Sequence, residues 1–133
     1  MSASILIVDD EVQVAQVFKR ALTQAGYAVS TAENGRQALS SIQATHFDLI
    51  LLDIVMPDMD GIEFLRELFR AKSTLKVIAM SGKFQGQFLK VAKQLGARAI
   101  IPKPISPELL LKVVHETLTQ GDLPDKAGLE DND

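Results

Sequence analysis

Short apolar blocks alternate with helix-period stripes along the whole chain. Ile5-Leu6-Ile7-Val8, after Ser4, and Leu49 to Leu52 are continuous apolar runs bounded by polar or turn residues, and Leu75 to Met80 is a third run, interrupted by Lys76. Runs of that length are too short for a lone helix and suit strands buried on both faces. Tyr27 to Ala32 and Arg98-Ala99-Ile100-Ile101 are weaker versions of the same pattern. Between them the period changes. Val14, Phe18, Ala21, Leu22 and Ala25 recur at helical spacing and stop at Gly26; Asp10 stands where a cap for that helix is expected. Asn34-Gly35 turns into a helix with Ala38, Leu39 and Ile42 on one face. Asp60, with Glu63 three residues on, caps a helix carrying Ile62, Leu65, Leu68 and Phe69. Phe88, Leu89, Ala92 and Leu95 mark a fourth helix, stopped by Gly96. Ser106-Pro107-Glu108 is a helix start, with Leu109, Leu110, Val113, Val114 and Leu118 as its buried stripe and Gly121 as its end.

Five strands alternating with five helices predict a (βα)5 doubly wound α/β domain. Right-handed crossovers make its sheet parallel and cover both faces. In a parallel sheet every strand ends on the same edge, where such folds place their ligand sites. The first strand ends at Asp9-Asp10, the third at Asp53, the fourth at Ser81 and the fifth near Lys103. Singly, the acids read as helix caps, Lys103 as a solvated loop charge and Ser81-Gly82 as a turn. Jointly they place three carboxylates, a hydroxyl and an ammonium on one rim. Crowded carboxylates repel one another, and a hard divalent cation removes that cost. Mg2+ suits a site of few carboxylates, a carbonyl and waters, with Mn2+ as a substitute. The chemistry this suggests is transfer of a phosphoryl group to Asp53. The metal and Lys103 would offset phosphoryl charge, and Ser81 would donate a hydrogen bond to the product.

The sequence has 133 residues, enough for one domain with a core. We expect residues 1–120 to form it. Residues 121–133 hold five acids and one lysine, so they carry −4 and the remainder is near +1. That tail has little to bury and is expected to be disordered. Nothing in this distribution suggests nucleic-acid binding. No apolar run is long enough to span a bilayer, no secretion signal is evident, and the absence of cysteine removes disulfides and thiolate chemistry. A cytoplasmic protein fits these features.

Four motifs, Val-Asp-Asp-Glu at 8–11, Leu-Asp-Ile-Val-Met-Pro-Asp-Met-Asp-Gly at 52–61, Met-Ser-Gly at 80–82 and Pro-Lys-Pro-Ile at 102–105, resemble the receiver domains of bacterial two-component response regulators. The resemblance spans residues 4 to about 120. It implies a flavodoxin-like strand order of 2-1-3-4-5. It implies Asp53 as phosphoacceptor, Asp10 as a direct Mg2+ ligand, Asp9 as a ligand through water, and the Val55 carbonyl as a further ligand. It also implies phosphoryl contacts from Ser81 and Lys103 and a cis Lys103–Pro104 bond. The partners implied are a sensor histidine kinase or histidine phosphotransfer protein, and a downstream target on the helix 4, strand 5 and helix 5 surface.

Two positions depart from the family pattern. Ile100 stands where a switch aromatic is usual. Val55 and Lys83 occupy the positions two residues after the phosphoacceptor and the hydroxyl, which tune phosphoryl lifetime in the family. Other readings are a phosphohydrolase with an aspartyl-phosphate intermediate, a flavodoxin-type cofactor binder, a degenerate receiver, or a regulatory piece of a longer response regulator or hybrid kinase. The phosphohydrolase would want a second Asp where Val55 stands. The flavin binder would want a hydroxyl-rich loop where Asp9-Asp10-Glu11 stands. His46 and His115 are isolated from the constellation and receive no role.

Overall fold

The computed structural model describes residues 2–54, 56, 61–71, 73–82 and 85–120, with the side chains of 85–89 left aside. The elements alternate without exception: β1 (Ser4–Val8), α1 (Val12–Gln24), β2 (Ala28–Ala32), α2 (Gly35–Ala44), β3 (Leu49–Asp53), α3 (Gly61–Arg70), β4 (Lys76–Ser81), α4 (Gln85–Gln94), β5 (Ala99–Pro102) and α5 (Pro107–Thr119). The strands form one sheet in the order β2-β1-β3-β4-β5, and every pairing is parallel. This is the expected flavodoxin-like arrangement. The expected tail, 121–133, and the expected cap Asp60 lie outside the described residues.

The period-2 alternation of the central strands sorts their side chains between two cores. Leu6, Val8, Ile50 and Leu52 pack with Ala38 of α2, Phe64, Leu65 and Leu68 of α3 and Ala92 of α4. Ile5, Ile7, Leu49 and Leu51 pack with Ala15, Phe18 and Leu22 of α1 and Leu110 and Val114 of α5. β1 and β3 are therefore apolar on both faces, and their residues Ile5–Val8 and Leu49–Leu52 are fully buried. Their continuous hydrophobic runs have this cause.

Helix faces differ from expectation in detail. In α5 the buried line is Leu110, Val114 and Thr117, while Leu109 is 47% exposed. Residues 110, 114 and 117 recur at the i, i+4, i+7 spacing of one face, and Leu109 stands about 100° around the helix from it. In α3 the fully buried aromatic is Phe64, four residues before Leu68, and Phe69 is 42% exposed. β2 starts at Ala28, and Tyr27 instead packs part-buried against the α1/α5 core. β4 runs from Lys76 through Ser81, and β5 runs from Ala99 into Pro102. Pro102 has no N–H to donate and sits at the end of an edge strand, where that loss is tolerated.

The Ser106 cap of α5 is as expected from the sequence, and at α2 Asn34 proves to be a cap as well as a turn residue. Asn34 Oδ1 accepts the Gln37 N–H at 2.9 Å, and Ser106 Oγ accepts the Leu109 N–H at 3.1 Å, with Pro107 in the first turn. Gly26 and Gly96 both adopt φ of 102° just past α1 and α4, where a side chain would be strained. Ser106→Ala should cost about 1 kcal/mol of unfolding free energy by urea denaturation. An unchanged midpoint and slope would mean that solvent replaces the cap.

Candidate functional site

Parallel register puts the site together. Val8 of β1 pairs with Leu52 of β3, so the next residues, Asp9 and Asp53, stand side by side at the carboxyl edge. Asp53 itself pairs with Met80 of β4, and Ser81 pairs with Pro102 of β5. Backbone bonds hold these ends beyond the ladder: Asp9 N–H donates to the Ala32 carbonyl, Ile54 N–H to the Met80 carbonyl and Lys103 N–H to the Ser81 carbonyl. The Lys103–Pro104 bond is cis, as expected.

Asp9, Asp10 and Asp53 each offer a carboxylate oxygen, and the three oxygens lie within 4.8 Å of one another. Asp9 and Asp53 are buried and Asp10 is exposed. Lys103 supplies the facing cation. Its Nζ is 2.8 Å from Glu11 Oε1, 3.0 Å from Asp9 Oδ2 and 3.4 Å from Asp53 Oδ2. Burial alone would lower the pKa of this ammonium. Hydrogen bonds to Glu11 and Asp9 and the charges of Asp53 and Asp9 outweigh that and raise it above the ordinary 10.5. A raised folded-state value means that the stabilisation is complete below 10.5 and is lost only as pH climbs beyond it. The ammonium therefore stays charged across the neutral range. An open cavity of about 570 Å³ leads to these groups; Asp10, Glu11, Asp53, Gly82 and Lys103 line its polar end, and Val14, Val17, Phe18 and Ile105 its apolar wall.

The structure thus gathers Asp9, Asp10, Asp53 and Lys103 within contact range and sets the buried Ser81 on the same edge. Val55 and Lys83 lie outside the described residues. Asp10 is not the cap of α1: the N-cap residue is Glu11, which makes no side-chain capping bond. The Glu11 N–H instead donates to Asp9 Oδ1 at 2.9 Å. The helix begins too late for Asp10 to reach its free N–H groups, and the Asp10 carboxylate joins the acidic cluster. Glu11 was visible only as the last member of an acidic run. Nothing in the sequence marked it as a partner of Lys103, 92 residues away. His46 pairs with Asp48 at 3.2 Å, and Asp48 accepts the N–H of Ser4, the first residue of β1. That places His46 at the opposite edge of the sheet. The Ser4 hydrogen bond, with smaller help from His46, holds the Asp48 carboxyl below the usual range despite partial burial.

Three anionic oxygens this close fit a hard divalent cation. The donor set is all carboxylate, and the rim where Asp10 stands opens to solvent for water ligands. Lys103 meets part of the same charge from the other side.

The parallel α/β fold and the acidic rim faced by Lys103 narrow the class of protein, and comparison with known proteins supplies it. The family described as the response regulator receiver domain matches residues 5–115. The chain belongs to that family and is a receiver domain of two-component systems. It is 35% identical over 119 residues to the chemotaxis protein CheY of Bacillus subtilis, a match covering 89% of this chain and 99% of that one. It is 36% identical over 110 residues to the transcriptional regulatory protein ResD of the same species, covering 82% of this chain but 45% of that longer protein. Among solved structures, the CheY-like receiver domain protein of Methanospirillum hungatei superposes with a TM-score of 0.84 at 33% identity, covering 89% and 94% of the two chains. CheY4 of Vibrio cholerae superposes with a TM-score of 0.81 at 32% identity, covering 88% and 99%.

Proposed function

We propose that this receiver is switched by Mg2+-dependent phosphorylation of Asp53. The phosphoryl group would come from a histidine of a sensor kinase or phosphotransfer protein. The observation that carries the reading is the meeting of the Asp9, Asp10 and Asp53 oxygens within 4.8 Å, faced by the Lys103 ammonium. An Asp53 oxygen attacks phosphorus, the bond from phosphorus to the donor nitrogen breaks, and its electron pair leaves with the imidazole, giving an aspartyl phosphate. Lys103, held at the rim by backbone and ion pairs, moves its charge onto the phosphoryl oxygens. Ser81, at the neighbouring strand end, donates its hydroxyl to one of them. Asp10 and Asp53 directly, Asp9 through water and the Val55 carbonyl would hold Mg2+, which would offset charge on the transferring group. The chain speeds only its own modification and its slow reversal.

Phosphorylation then shifts an existing equilibrium between two conformations. The face made by α4, β5 and α5 is the proposed output surface for a protein target. Ile100 on β5 is part-buried against the α2–α4 core and replaces a rotating aromatic, so backbone displacement of β5 carries the signal. The exchange belongs in the cytoplasm on this reading, and nucleic acid is not a direct partner. Among the described residues no helix is long and apolar enough to cross a membrane. We assign residues 1–120 to the receiver.

Acetyl phosphate with Mg2+, followed by intact mass, tests the reading. One added phosphoryl group, absent in Asp53→Ala, is the expected result; turnover of phosphate esters without a stable adduct would favour a phosphohydrolase instead. Val55 has no polar group to orient an attacking water, so Val55→Asn should speed loss of the phosphoryl group about tenfold, the scale of one added transition-state hydrogen bond. Equal decay rates would refute that role.

A further inference from the structure

Lys103 and a divalent cation draw on the same anions. Its Nζ contacts Asp9 Oδ2 and Asp53 Oδ2, and both residues belong to the acidic cluster. A cation entering that cluster takes charge that Lys103 is using. Glu11 stands outside the cluster and makes the shortest of the three contacts, 2.8 Å. Its backbone is fixed to the site, because its N–H is held by Asp9 Oδ1. Its side chain makes no capping bond to α1, although Glu11 is the N-cap residue, and reaches across to the loop after β5. The Glu11 side chain is 60% exposed, so the pair adds little to stability. Its consequence is where it puts Lys103.

We infer that Glu11 is the positioning residue for Lys103. It is the carboxylate that keeps the ammonium beside Asp53 when a divalent cation occupies Asp9, Asp10 and Asp53. Without it, Lys103 settles fully onto Asp9 and Asp53 and opposes the metal. The inference rests on the reading that this cluster takes Mg2+, and it adds a residue that the reading does not contain.

The test is a calorimetric titration with Mg2+ alone, without phosphodonor, on the intact chain. Glu11→Gln should weaken Mg2+ binding about fivefold, the scale of one exposed ion pair. Glu11→Asp keeps the charge but is one methylene short of Lys103, and should weaken binding to a similar degree. In a Lys103→Met background Glu11→Gln should change the affinity by less than about twofold, because a residue acting through another loses its effect when that other is gone. An unchanged affinity in Glu11→Gln overturns the inference. So does an equal loss in both backgrounds, or a Glu11→Asp protein that binds like wild type, since either would show a direct effect of charge on the metal. A wild-type chain that binds no Mg2+ brings down the reading of the cluster itself, and the inference with it. Thermal unfolding of each Glu11 variant, expected within a few degrees of its own parent background, separates these outcomes from a folding defect.

Discussion

Replacing Asp53 with asparagine will abolish phosphoryl uptake and leave the fold intact. The amide has nearly the shape of the carboxylate but no nucleophilic anion, so acetyl phosphate and Mg2+ should add no mass. Stability should not fall. Asp53 is the farthest of the three Lys103 partners, and Asp9 and Glu11 at 3.0 and 2.8 Å keep the ammonium paired when it is gone. The change also removes one of three like charges crowded within 4.8 Å, which relieves repulsion in the metal-free protein. We expect an unfolding free energy equal to wild type or higher by about 1 kcal/mol, since breaking a buried pair is costly only when it strands a charge. Mg2+ affinity should drop in the same variant, because one anionic ligand is lost. Asp53→Asn protein that still gained a phosphoryl group would move the acceptor to another residue. Loss of folding would mean that Asp53 is needed for structure first.

Gly61→Ala should be strongly destabilising, against the usual sign of that exchange. Alanine in a helix is favoured over glycine by about 1 kcal/mol, and Gly61 is the first residue of α3. Here an added Cβ would fall under 3.0 Å from Ile54 Cα and from the Asp53 carbonyl carbon and oxygen. All three are backbone atoms, so no side-chain rotation relieves the clash. Overpacking of this kind costs typically about 1–3 kcal/mol and more when backbone must move. We expect a net loss of about 2–4 kcal/mol by urea unfolding, and slower phosphorylation, because the atoms pushed aside belong to the residue that carries the site. An unfolding free energy at or above wild type would show that α3 slides away from β3 without cost. Gly61 is thus required for close approach of α3 to the strand end, not for turn conformation.

Much of this was legible in the chain alone because each local signal agreed with the fold. Continuous apolar runs at 5–8 and 49–52 mark strands covered on both faces, and those residues are fully buried. Asn34 and Ser106 cap the helices they precede. A parallel sheet then forces Asp9, Asp53, Ser81 and Lys103 to one edge whatever their distances. Position along a strand is set by hydrophobic period, and period is local. Other features depended on which surfaces meet. Leu109 and Phe69 fit their helical stripes as well as their neighbours did, yet α5 and α3 are rotated so that Leu110 and Phe64 take the core. Asp10 keeps its expected place among the clustered carboxylates but does not cap α1, because the helix begins at Val12 with Glu11 as its N-cap residue.

The alternation of apolar blocks determined the element order, the parallel sheet and the edge on which the charged residues gather, since these follow from burial period and chain chirality. Tertiary structure alone decided that Lys103 reaches Glu11 as well as Asp9 and Asp53, and that α3 leaves no room for a methyl at residue 61. Contacts of a few ångströms between segments far apart in sequence arise from how packed helices settle on a twisted sheet, and no periodicity in one segment records the approach of another.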